Sequence, residues 1–177
     1  MKKKTLALVL ALTLLVAGVV GGTLAWLTDR TAEVKNTFTV GDINIGLTET
    51  TTDYKMVPGN TIAKDPTVTV KANSEACWLF VKVTESTDLK DFITYAIAEG
   101  WTALPGVDGV YYREVPASAA DQTFSVLAGD AVTVKSDVTR TMLETAKTDA
   151  PTLTFQAYAI QRDHFATADA AWAEVSK

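Results

Sequence analysis

One cysteine, Cys77, and one histidine, His164, are the scarcest side chains in this 177-residue sequence. A lone thiol cannot close an internal disulfide, so the fold must be held by its core rather than by covalent staples. A lone imidazole excludes a His-Glu-x-x-His helix and any two-histidine metal site. No Gly-x-Ser-x-Gly elbow, phosphate-cradling glycine loop or dinucleotide fingerprint occurs. Nor is there an Asp-x-Asp-x-Asp-Gly calcium loop. Asp149, Asp163 and Asp169 are scattered, and Asp42, Asp108 and Asp130 adjoin glycines, where turns use them. These absences point away from an enzyme: no catalytic residue, no metal ligand and no cofactor is expected. Cys77 lies in the apolar run Cys77–Val81 and reads as core. His164, which follows Arg162-Asp163 beyond the last strand, reads as a surface residue.

Internal repeats, low-complexity tracts and Pro/Gly/Ser linkers are absent too, so nothing divides the chain after its N-terminal segment. That segment is distinctive. Lys2, Lys3 and Lys4 form a positive n-region, Leu6–Val20 an apolar h-region, and Gly21-Gly22-Thr23-Leu24-Ala25 a small-residue junction. An apolar run of about fifteen residues is short for a permanent span. Thr23 and Ala25 occupy the −3 and −1 positions of a cleavage site, and Trp26 becomes the first mature residue. The alternative is an uncleaved anchor, which Gly18, Gly21 and Gly22 would weaken. Residues 1–25 are therefore expected to be a signal peptide helix, touching membrane only before cleavage, and 26–177 a single exported domain. The first 25 residues carry three lysines and no acid, so a formal charge of −5 becomes −8 for the remainder. Such a domain repels nucleic acid and anionic lipid.

Thr and Val abound in the mature region, and their branched Cβ favours extended chain. Asn36–Val40 leads through Gly41-Asp42 into Ile43–Leu47, where Ile43, Ile45 and Leu47 share a face. Pro58-Gly59-Asn60 reads as a turn. Thr67–Lys71 alternates cleanly, and Trp78–Thr84 reads as a central strand that is bulky on both faces. Asp88 is placed to cap one helical turn. Ile93–Ala98 and Trp101–Leu104 give weaker strand signals. Asp108-Gly109 sets up Val110–Val115, and Ala128-Gly129-Asp130 separates Phe124–Leu127 from Ala131–Val138. Thr141–Lys147 is a short helix or crossover. Leu153–Ile160 is the last strand, with Leu153, Phe155, Ala157 and Ala159 on one face. Ala168–Val175 is a terminal helix capped by Thr167. Eight or nine short strands at this spacing predict an all-β, jelly-roll-like β-sandwich with short helical segments.

Trp101, Tyr111 and Tyr112 lie in neighbouring segments and suit a sugar-stacking platform, the basis of an adhesin or carbohydrate-binding reading. Against this, adjacent tyrosines on a strand point to opposite faces.

Gly22-Thr23-Leu24-Ala25-Trp26-Leu27-Thr28-Asp29 resembles the junction of Gram-positive proteins matured by the SipW-type signal peptidase. Asn36-x-Phe38-x-x-Gly41-x-Ile43, Pro58-Gly59, Lys64-Asp65-Pro66 and Val68-x-Val70-x-x-Asn73 resemble the TasA and camelysin family of biofilm matrix proteins, as does the closing Tyr158-Ala159-Ile160-Gln161. The likeness covers the N-terminal third and the last strand. It implies a secreted matrix or cell-surface protein whose partners are further copies of itself or related matrix subunits, apart from the signal peptidase during export. It also implies fibres built by donor-strand exchange, with the donor at about Trp26–Val40 and Trp26, Leu27, Val34, Phe38 and Val40 as its apolar residues. Camelysins have been classed as metallopeptidases. One histidine and no zinc motif leave nothing here to carry that chemistry.

Overall fold

The computed structural model describes residues 42–51 and 54–177. The expected signal peptide, its junction at Thr23, Ala25 and Trp26, and the donor residues Leu27, Val34, Phe38 and Val40 all lie outside the described residues.

Among the described residues ten strands run in chain order: β1 (Ile45–Thr48), β2 (Thr61–Ala63), β3 (Thr67–Val70), β4 (Cys77–Glu85), β5 (Ile93–Thr94), β6 (Thr102–Ala103), β7 (Val110–Val115), β8 (Gln122–Ser125), β9 (Ala131–Val134) and β10 (Leu153–Gln161). They form three antiparallel sheets with orders β1-β3-β8, β10-β4-β7-β6 and β2-β9-β5. Among the described residues helix is confined to α1 (Leu89–Phe92), α2 (Arg140–Ala146), α3 (Ala168–Val175) and two single turns at Ala128–Asp130 and Arg162–His164. The chain is thus predominantly β, as its composition requires.

The pleat of β4 organises the packing. Successive side chains alternate between faces, and β4 is apolar on both. Cys77, Leu79, Val81 and Val83 join Val68 and Val70 of β3, Val115 of β7 and Val126 in one buried cluster. Against this cluster pack Ile43, Ile45 and Leu47, and Leu153, Phe155, Ala157 and Ala159 of β10. On the opposite face Trp78 and Phe80 meet Leu104, Val110, Ala168 and Ala171, with Trp172 and Val175 of α3 alongside. Ring centroids of Phe80 and Trp172 lie 5.3 Å apart, and those of Tyr158 and Trp172 5.2 Å apart, edge to face. Thr167 Oγ1 accepts from the Ala170 N–H at 3.3 Å, so α3 starts where its cap dictates. The third cluster gathers Leu89, Phe92, Ile93, Leu127, Val132, Val134, Val138 and Ala146 around the β2-β9-β5 sheet.

Several expected boundaries change. Asp88 does not cap α1 with its side chain: its own backbone is already helical (φ −95°, ψ −9°), and its carboxylate accepts from Ser86 Oγ instead. The ladder of β1 begins at Ile45 rather than Ile43, because the Asn44 N–H is taken by Ser74 Oγ. The two weak strand segments shrink to β5, β6 and an isolated bridge between Ile97 and Leu127. The Pro58-Gly59 turn forms as expected, with Gly59 at φ +80° and the Asn60 N–H bonded to Val57 O.

Gly109 is needed for the union of β4 and β7. It sits at φ +72°, and a Cβ there would lie 2.4 Å from Val83 O. Gly129 has a similar φ, +66°, but open space around it. Gly129→Ala should therefore cost about 1–2 kcal/mol, the backbone term alone. Gly109→Ala should cost clearly more, because the strands must also part. Urea unfolding of the two variants measures the difference.

Candidate functional site

In a predominantly β chain the strand edges are candidate binding surfaces, because unpaired N–H and C=O groups invite another strand. Most edges here are short. The outer strands β1, β2, β5, β6 and β8 span two to four residues each. The exception is β10, nine residues long, hydrogen-bonded to β4 on one side and to no strand on the other among the described residues.

The direction of its backbone groups follows from the ladder. Ser86 N–H donates to Thr152 O and Arg162 N–H donates to Ala76 O, both at 2.9 Å, and the register between these points is unbroken. Even-numbered residues of β10 therefore bond to β4. Leu153, Phe155, Ala157, Ala159 and Gln161 turn their N–H and C=O groups to the open side. The edge carries no proline, no glycine and no charge (LTFQAYAIQ), so it lacks the devices that usually blunt an edge. β1 runs close to β10 without bonding to it. Its backbone is open in the same way at Ile45 and Leu47, since Lys71 N–H bonds to Asn44 O and fixes even residues toward β3.

A charged latch sits where β1 and β2 end. Lys64 is buried, and its Nζ lies 2.6 Å from Glu49 Oε1, 4.7 Å from the Tyr54 ring centroid and 5.4 Å from that of Phe155. Tyr54 Oη shares its proton between Glu49 Oε1, at 2.6 Å, and Thr51 O. Burial, then the bonded Glu49 carboxylate, pushes the Tyr54 phenol well above its usual range. Next in sequence, Asp65 accepts from the Thr50 N–H at 2.9 Å and from Thr50 Oγ1. These two bonds hold its carboxyl below the usual carboxylate value. Together the contacts tie the chain leaving β1 to the chain entering β3, beside Phe155 of the open strand. Nothing local in the sequence marks Lys64 as buried, and its ion-pair partner Glu49 lies fifteen residues away.

The aromatic platform does not assemble. Tyr111 and Trp101 pack toward the β3–β4 cluster, and Trp101 Nε1 donates to Ser125 O at 2.8 Å. Tyr112 faces the other way, 5.8 Å from Trp78. Trp101 instead stacks with Phe124 around Arg113, whose guanidinium carbon lies 3.9 Å from the Phe124 centroid and 5.4 Å from that of Trp101. Arg113 Nε is buried without a hydrogen-bond partner, and burial lowers the affinity of the group for its proton. Cys77 is fully buried and its thiol is pushed up to about 11 by that burial, which makes it inert. His164 is exposed. Among the described residues no group of His, Cys, Asp and Glu is placed to hold a metal, and no helix is long and apolar enough to cross a membrane.

No protein-family model, curated protein or solved structure matches this chain.

Two outcomes test the latch. Lys64→Met leaves the Glu49 carboxylate partly buried without its cation, which should cost on the order of 1–3 kcal/mol. Lys64→Met/Glu49→Gln should recover part of that loss, and urea midpoints of both variants decide it. The second concerns acid. A carboxyl whose folded pKa is depressed adds stability above its unfolded pKa and loses it as pH falls through the folded value. Asp65→Asn should therefore lower stability at pH 7 and make it less sensitive to pH below about 4, as read by urea titrations across that window.

Proposed function

We propose that the chain is a secreted, non-enzymatic structural protein of the cell surface or biofilm matrix, and that its copies join by strand addition at the open β10 edge. The observation that carries this reading is the edge itself: nine residues long, uncharged, and with every second backbone pair unbonded to any strand among the described residues. An extended segment laid there gains main-chain hydrogen bonds and side-chain pockets together. The domain on which this rests is a jelly-roll-like β-sandwich, a reading supported by the meeting of Val68 and Val70 of β3 with Leu79 and Val81 of β4 in one core.

The incoming strand is the N-terminal segment of another copy, about Trp26–Val40. Its sequence suits the role. Trp26, Ala32, Val34, Phe38 and Val40 fall on one face of an extended chain, with Thr28, Arg30 and Asn36 as its polar exceptions, while Asp29, Thr31, Glu33, Lys35, Thr37 and Thr39 fall on the other, with Leu27 the apolar exception. Fifteen extended residues span about 50 Å and a nine-residue strand about 30 Å, so the segment can cover the edge and still bridge two bodies. The junction motif at Gly22–Asp29, with its likeness to SipW-type substrates, supports export and cleavage just before this segment.

Removing Trp26–Lys35 from the exported chain should abolish concentration-dependent polymerisation seen by electron microscopy. Polymers forming as readily without those residues would refute strand donation.

A further inference from the structure

Away from the β10 edge, a groove of about 610 Å³ runs between the Lys55–Pro58 segment and α2. Its floor is apolar: Met56, Pro58, Val138, Leu143 and Ala146. Val57, 49% exposed, stands in the same segment as Met56 and Pro58 and is the one large apolar side chain left out in solvent among the described residues. The rim is cationic. Lys55, Arg140 and Lys147 line it against a single acid, Glu144, and Lys147 already holds both Glu144 oxygens at 2.8 and 2.9 Å. Among the described residues neither Lys55 nor Arg140 has a carboxylate in ion-pair contact. An acidic chain of formal charge −5 therefore carries an apolar groove with two cations that no carboxylate among the described residues compensates.

We infer that this groove seats an acidic surface of a second copy of the chain, in a contact that works alongside the β10 edge; the inference rests on the self-association reading above. Charge decides the occupant. Two copies repel each other over most of their surfaces, and the approach that brings an acidic surface of one to the cationic rim of the other is attractive and is steered by the field. Two such grooves placed face to face would oppose cation to cation, so each groove meets a different surface of its partner; where that contact is not returned within the same pair it runs head to tail, and a head-to-tail contact that does not close propagates a filament. The apolar floor supplies the surface whose removal from water holds the contact once formed.

Sedimentation velocity of the exported chain over a concentration series, at about 0.05 M and about 0.3 M salt, tests this with three variants. Lys55→Glu/Arg140→Glu should weaken self-association tenfold or more and remove most of its salt dependence. The milder Lys55→Gln/Arg140→Gln should act in the same direction. Lys71→Glu/Lys177→Glu, which makes the same change in net charge at exposed sites elsewhere, should shift association less than twofold. Circular dichroism melts check that each variant is folded. The groove is refuted if the two groove variants associate like the control. Ala157→Pro, which removes an outward N–H of β10 and leaves the β4 ladder bonds in place, separates the two readings. If it abolishes association while the groove variants associate normally, the edge stands and the groove falls. If the groove variants dissociate and Ala157→Pro does not, the groove stands and the edge falls. A chain that stays monomeric under all conditions overturns both.

Discussion

Burial of β4 on both faces is the constraint from which most of this structure follows. A strand with Leu79 and Val81 on one side and Trp78 and Phe80 on the other cannot meet water on either. One face is covered by β3 and its neighbours, the other by α3. Fully burying side chains of this size contributes roughly 1.5–3 kcal/mol each, and no disulfide supplements it, since Cys77 is itself part of the core. β7 and β10 flank β4 because a strand buried on both faces must also pair on both edges.

That arrangement leaves β10 as the outermost strand on one side, and the length of β4 makes β10 long as well. The open edge is thus a consequence of how the core is covered. Its side chains Leu153, Phe155, Ala157 and Ala159 face inward, and β1 runs close beside it. The Lys64–Glu49–Tyr54 latch fixes the chain beside Phe155 at one end of this edge. Core, latch and edge form one connected arrangement in which the unpaired backbone is presented by a rigid support.

Sequence periodicity revealed the elements that depend on local pattern. Val110–Val115 appears as β7 with the expected limits, Leu153, Phe155, Ala157 and Ala159 share the expected face, and Ala168–Val175 is a helix with Thr167 at its cap. Legibility stopped where distant residues decide the outcome. Asp88 has the side chain of a cap, but Ser86 claims it. Ile43 lies on the core face expected of it, yet it precedes the ladder because Ser74 binds the next residue. The sheet orders, the burial of Lys64 and the stacking of Arg113 between Trp101 and Phe124 all join residues far apart in sequence, and alternation carries no information about them. The open edge falls between these cases: its strand was visible, and its lack of a second neighbour among the described residues was not.

Residue-resolved hydrogen exchange of the β10 amides, in monomer and in assembled material, tests the account most directly. In the monomer the amides of Leu153, Phe155, Ala157 and Ala159 should exchange fast and those of Thr154, Gln156, Tyr158 and Ile160 slowly. On assembly the odd-numbered set should become protected while the even-numbered set changes little. Odd-numbered amides that are already protected in the monomer, or that stay unprotected in the assembled state, would contradict it.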